Sequence, residues 1–156
     1  MTRDQLVERL AQAIAHYEGY YITREQAMIR GISFPTRAQH AENPGNLRRW
    51  ADKHGKPYPT RGGYVDFVAA ARERYPGISR EATIQAAREL GWKALRKQIE
   101  RYIEGKLTGG KSPTLREMIH RWAPASDGNN PEKYTEFVAS FAGIPPDKPL
   151  IELCAG

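Results

Sequence analysis

Between Ile22 and Gly63 the chain carries Pro35, Pro44, Pro57 and Pro59 together with Gly31, Gly45, Gly55, Gly62 and Gly63. Proline removes a backbone donor and clashes with the preceding helical turn, and glycine loses the most freedom on ordering, so no long regular element spans such a stretch. A regular core must therefore come from the segments on either side. Within the stretch, Asn43-Pro44-Gly45-Asn46 is a turn tetrad in which Pro44 presets one dihedral and Gly45 is free to take a positive one. Leu47–Trp50 and Tyr64–Val68 are extended pieces placed to pair as a small antiparallel sheet. Long irregular runs in compact domains are usually functional, which makes this the first place to look for a site.

The flanks read as helices. Thr2 and Gln5 form a capping-box pattern, and Leu6, Leu10, Ala13, Ile14 and Tyr17 then recur on one helical face, up to Glu18-Gly19. Gly19 suits the left-handed end of that helix. In the second half, Ser79 opens a run whose face is Ile84, Ala87, Gly91, Leu95, Ile99 and Tyr102, ending near Gly105. Ser112-Pro113 opens Leu115, Met118, Ile119 and Trp122, closed by Pro124. Asn130-Pro131 opens Tyr134, Phe137, Val138 and Phe141, closed by Gly143. The expected fold is mainly α, an α+β arrangement with a small irregular or β lobe between the first helix and the C-terminal helices. The 156 residues are the size of a single domain.

Composition narrows the chemistry. Cys154 is the single cysteine, which excludes an internal disulfide and any multi-cysteine metal site. The net charge is +6, distributed as +9 over residues 1–124 and −3 over residues 125–156, and arginines outnumber lysines 16 to 8. A basic body of this kind implies an anionic partner: nucleic acid, anionic lipid or cell-wall polymer. No apolar run approaches the ~20 residues of a membrane span, so no membrane insertion is expected. Met1–Glu8 carries charges of both signs and lacks the apolar core of a signal peptide, so cytoplasmic synthesis with delivery by a pore, virion or secretion device is the expectation. There is no phosphate-binding glycine loop, dinucleotide fingerprint or serine-hydrolase elbow. His16, His40, His54 and His120 lack the spacing that would join two of them on one metal.

Glu18 is the carboxylate of interest. It falls at the margin of the first helix's apolar stripe, between Tyr17 on one side and Gly19-Tyr20-Tyr21 on the other. A carboxyl set among aromatics at the C-terminal end of a helix loses water and meets the negative end of the dipole, and both effects favour the protonated form. A general acid for glycosidic cleavage needs that proton near neutrality.

Several segments share a further pattern: Ala13-Ile14-Ala15-His16-Tyr17-Glu18-Gly19-Tyr20-Tyr21, Asn43-Pro44-Gly45-Asn46-Leu47-Arg48, Gly63-Tyr64-Val65-Asp66-Phe67, Leu90-Gly91-Trp92-Lys93-Ala94-Leu95, and Ile119-His120-Arg121-Trp122-Ala123-Pro124 followed by Asn129-Asn130-Pro131-Glu132-Lys133-Tyr134. In this order they resemble the small phage and prophage endolysin-type, lytic-transglycosylase-like domains of the lysozyme superfamily, over about Leu10 to Leu150. The resemblance implies a mostly helical lysozyme-like muramidase that cleaves the glycan strands of peptidoglycan. Glu18 would be the catalytic acid, the Asn43–Asn46 turn would lie beside the cleft, and Tyr134 matches a tyrosine facing that acid. It implies no metal and no organic cofactor. Two departures stand out: Glu42 occupies a place where the family commonly has asparagine, and Ala70–Glu89 is extra relative to compact members.

The residues leave some roles open. Asn43 and Asn46 are either turn formers or substrate contacts, and Tyr134 is either core or site. Trp92 and Trp122 read as core. Trp50, beside Arg48 and Arg49, reads as a platform for a sugar ring, with Tyr20 as a further substrate contact. Glu42, Asp52 and Asp66 are candidates for a second carboxylate, and nothing in the spacing selects one. The alternatives to a lytic transglycosylase are a hydrolase, a non-catalytic wall-binding or virion structural module of the same fold, and a basic nucleic-acid-binding domain. The last lacks a binding motif, so a nucleic-acid partner is not expected.

Overall fold

The computed structural model describes residues 1–154 and is mainly helical, with seven α-helices and one two-stranded sheet among them. The fold class expected from the sequence is the one observed. No helix among the described residues is long and apolar enough to cross a membrane. The chain forms two compact units, Met1–Tyr17 with the chain from Arg96 onward, and Glu18–Leu95.

The first unit is built on α1 (Arg3–Tyr17). Its start is the expected capping box: Gln5 N–H donates to Thr2 Oγ1 at 3.1 Å and Thr2 N–H donates to Gln5 Oε1 at 2.9 Å. Leu6, Leu10, Ala13 and Ile14 are completely buried, as the periodicity requires. Later in the chain come α6 (Leu115–Trp122) and α7 (Pro131–Ala142), and α7 packs on both α1 and α6. α7 starts and stops where expected, with Asn130 Oδ1 accepting from Lys133 N–H, Pro131 in the first turn and Gly143 left-handed at φ 67°. The start of α6 corrects the sequence reading by two residues. Thr114, in a capping box with Glu117, caps it, because Ser112 and Pro113 are drawn out against the C-terminal segment: Leu150 N–H donates to Pro113 O at 2.8 Å, and Thr114 bridges Pro149.

The second unit holds more structure than its prolines and glycines advertise. α2 (Arg24–Arg30) and α3 (Arg37–His40) are short helices, each opened by a complete capping box, Thr23 with Gln26 and Thr36 with Gln39. The sheet differs from expectation. β1 (Thr60–Arg61) pairs antiparallel with β2 (Tyr64–Val65) in the register Thr60↔Val65 and Arg61↔Tyr64. Gly62-Gly63, both at positive φ, supplies the two-residue turn that suits strand twist, so the local hairpin wins over the expected pairing with Leu47–Trp50. What survives of that pairing is one hydrogen bond, from Val65 N–H to Leu47 O at 2.9 Å, while Ala51 bridges Pro57. Phe67–Arg74 is helix α4, so Phe67 and Val68 belong to no strand.

α5 (Arg80–Ile103) contributes its first two thirds to this unit and starts at Ser79, whose Oγ accepts from Ala82 N–H at 3.1 Å. Gly91 lies inside it, where glycine costs about 1 kcal/mol relative to alanine. Its role is close approach: a Cβ there would stand 2.0 Å from the Glu42 carbonyl oxygen. The helix backbone thus lies directly against the segment that leads into the Asn43–Asn46 turn.

Candidate functional site

Glu18 is the first residue after α1 and is half-buried. Gly19 follows at φ 80°, in the left-handed conformation that ends the helix. Asn46 Nδ2 donates to Glu18 Oε1 at 3.3 Å, so the turn tetrad and the proposed acid meet directly. Asn46 is itself left-handed at φ 47°, and its Oδ1 is buried without a hydrogen-bond partner. The sequence assigned the positive dihedral to Gly45; the turn places it on Asn46, a residue type that enters that region more readily than most.

Asn43 points the other way. It is 1% exposed, its Nδ2 donates to Leu47 O at 3.0 Å and to Val65 O at 3.1 Å, and its Oδ1 accepts from Leu47 N–H at 2.9 Å. Its amide is spent on the backbone. This corrects the substrate-contact reading of Asn43: the residue clamps the turn.

Tyr20 anchors a second cluster. Its phenol donates to Glu42 Oε2, and Arg88 Nη2 donates to Glu42 Oε1 at 3.4 Å. Burial, then the Glu42 carboxylate, push the Tyr20 phenol up to about 12, so it remains a donor at any physiological pH. Glu42 is 8% exposed and left-handed at φ 49°, an uncommon conformation for glutamate. The Trp92 ring meets Tyr20 edge-on at 5.6 Å and lies tilted to Tyr21 at 6.2 Å. These side chains, with Gln39, line a cavity of about 400 Å³.

The other candidates go elsewhere. Tyr134 is 1% exposed in the first unit, stacked on Tyr17 with ring centroids 3.8 Å apart, and so is a core residue there. Trp50 is half-buried in the loop after the turn, its carbonyl accepting from Tyr58 N–H at 2.8 Å, and it does not line the Trp92 cavity. Trp122 packs on Tyr102, as a core residue should. Asp66 caps α4, its Oδ1 accepting from Val68 and Ala69 N–H, and Asp52 Oδ1 accepts from His54 and Lys56 N–H. Both are turn formers.

Sequence reasoning missed Arg88 and assigned Trp92 to the core. The usable signal for both was helical spacing. Arg88 and Trp92 are one turn apart on α5, flanking Gly91, the residue that draws the helix against the Glu42 backbone. No family model matches the chain, and no curated protein and no solved structure matches it.

Proposed function

We propose that this chain is a peptidoglycan-cleaving muramidase of the lytic transglycosylase type, acting on the bond between N-acetylmuramic acid and N-acetylglucosamine with Glu18 as its acid. The observation that carries the reading is the Asn46 amide donated to Glu18 at 3.3 Å, which holds a half-buried carboxyl in one orientation at the end of α1. The sequence resemblance supplies the substrate, and the +9 over residues 1–124 suits an anionic wall polymer.

In the reaction, Glu18 gives its proton to the glycosidic oxygen as the C1–O bond breaks. The resulting carboxylate then takes the proton of the muramyl 6-hydroxyl while that oxygen bonds to C1, leaving an anhydro end and a protonated Glu18. A hydrolase would need a second acidic group flanking the bond. The three candidates for it have other employment: Asp52 and Asp66 hold turns, and Glu42 is bonded by Tyr20 and Arg88. That distribution favours the single-carboxylate reaction.

The test is digestion of purified cell walls followed by mass spectrometry of the soluble products. The wild type should release fragments with anhydro ends, and Glu18→Gln should lose about 10²–10⁴-fold of the rate while keeping its fold. Reducing ends would replace the transglycosylase by a hydrolase. A folded Glu18→Gln protein with full activity would remove Glu18 from the mechanism, and wall binding without release would favour a non-catalytic module.

A further inference from the structure

The cavity lined by Tyr20, Tyr21, Glu42, Arg88 and Trp92 has no part in the proton transfers above, yet its walls are held more firmly than a surface depression requires. The Tyr20 phenol donates to one Glu42 carboxylate oxygen and Arg88 donates to the other. The Trp92 indole packs against this held phenol, edge-on to Tyr20 and tilted to Tyr21. Glu42 holds its carboxylate in place from a left-handed backbone, an arrangement that persists only where the surroundings over-determine it, and such residues cluster at ligand clamps.

The charges select the ligand class. Arg88 and Glu42 are an ion pair, so the cavity carries no net charge from them. An anion such as a phosphate would meet the Glu42 carboxylate, and a cation would meet the Arg88 guanidinium. Arg88 remains 49% exposed in its side chain. A guanidinium has five N–H donors in a planar fork, so Arg88 has donors to spare for neutral oxygen acceptors. A flat aromatic wall beside directed donors fits a ring with an apolar C–H face and an equatorial fringe of oxygens. The volume, about 400 Å³, falls in the range of small-molecule sites.

We propose that this cavity is a binding subsite for an uncharged N-acetylhexosamine unit, with Trp92 as the stacking wall and Arg88 as the donor to its hydroxyl or acetamido oxygens. Under the muramidase reading, on which the choice of glycan rests, the subsite holds the glycan residue without the lactyl acid.

The experiment is calorimetric titration of the full-length Glu18→Gln protein with an N-acetylglucosamine tetramer, beside the same protein carrying Trp92→Ala, Trp92→Phe or Arg88→Lys, each checked for its fold by circular dichroism. Trp92→Ala should weaken binding at least about tenfold, Trp92→Phe should restore part of it, and Arg88→Lys should weaken it several-fold because the planar fork is lost. The affinity should change little between about 50 and about 500 mM salt, because the ligand is neutral. No binding by the parent protein, or equal binding by folded Trp92→Ala, overturns the subsite, as does affinity that collapses with salt. Wall digestion by the wild type and by Trp92→Ala separates the two proposals. Tetramer binding that depends on Trp92 without wall cleavage keeps the subsite and ends the muramidase reading. Wall cleavage with a KM unchanged in Trp92→Ala keeps the muramidase and ends the subsite.

Discussion

Replacing Gly91 by alanine sets two well-characterised effects against each other. In an exposed helix interior the change gains about 1 kcal/mol from helix propensity. At Gly91 the new Cβ would stand 2.0 Å from Glu42 O, 3.2 Å from Glu42 C and 3.2 Å from Pro44 Cδ, whereas ordinary contact begins at 3.4 Å. The first of these obstacles is backbone and cannot rotate aside, so helix and turn must part by about 1.4 Å, an overpacking that costs about 3 kcal/mol at the upper end of the usual range. Subtracting the propensity gain leaves a net loss of about 2 kcal/mol, or a fall in melting temperature of about 4–8 °C for a chain of this length. The assay is urea unfolding followed by circular dichroism, with Lys93→Gly as its companion. Lys93 is exposed two residues further along the same helix, and its replacement should cost about 1 kcal/mol from propensity alone. The preferred residue therefore reverses between positions 91 and 93. A Gly91→Ala protein as stable as the wild type, alongside a destabilised Lys93→Gly, would refute the close approach.

Three further outcomes follow from the same unit. Asn43→Ala removes three buried hydrogen bonds, among them the one that satisfies the Leu47 N–H, which should cost about 3 kcal/mol in urea unfolding. Tyr20, raised from 10.0 to about 12, binds its proton more tightly folded than unfolded, so its stabilisation is fully present below about pH 10 and is lost as pH rises towards 12. Tyr20→Phe should flatten the stability profile across that window and remove one late-ionising phenol from the absorbance titration. Glu42→Asn should relieve about 1–2 kcal/mol of backbone strain while losing the bonds to Tyr20 and Arg88, about 3–6 kcal/mol together, a net loss of about 1–5 kcal/mol in urea unfolding; sugar binding, measured by calorimetry, should fall at least about tenfold.

The long helices were legible because each carries its signals locally: the Thr2–Gln5 box, the Asn130-Pro131 start and the Gly143 stop all act within a few residues of where they stand. α2 and α3 were equally signalled, by Thr23-x-x-Gln26 and Thr36-x-x-Gln39, but at seven and four residues they are too short to show an apolar period, and the neighbouring prolines and glycines dominated the reading. The sheet partner was not legible, since competition between Gly62-Gly63 and the Leu47–Trp50 strand is decided by turn geometry rather than by pattern. Of the candidate site, the Glu18–Asn46 hydrogen bond spans 28 positions and the Tyr20–Glu42–Arg88–Trp92 cluster joins residues up to 72 positions apart in the chain, so neither has a local signature. Asn43 and Asn46 were indistinguishable as letters. Their opposite roles come from one left-handed residue that turns the second amide towards Glu18 while the first faces inward.

That turn also explains why glutamate stands at position 42. A left-handed glutamate costs about 1–2 kcal/mol of backbone strain, which asparagine or glycine would avoid. Each charge-assisted hydrogen bond to its carboxylate is worth about 1.5–3 kcal/mol, so the bonds from Tyr20 and Arg88 together exceed the strain. The residue is then held at three points: its carbonyl against Gly91, its carboxylate between Tyr20 and Arg88, and its neighbour Asn43 clamped to Leu47 and Val65. From Asn43 the chain has only Pro44 and Gly45 before Asn46, whose N–H donates back to Asn43 O at 3.0 Å. The turn that carries Asn46 is therefore tied at positions 42 and 43, and Glu42 also lines the Trp92 cavity. Loosening Gly91, Asn43 or Glu42 releases the same turn, which ties the Asn46–Glu18 hydrogen bond and the shape of the cavity to one restraint.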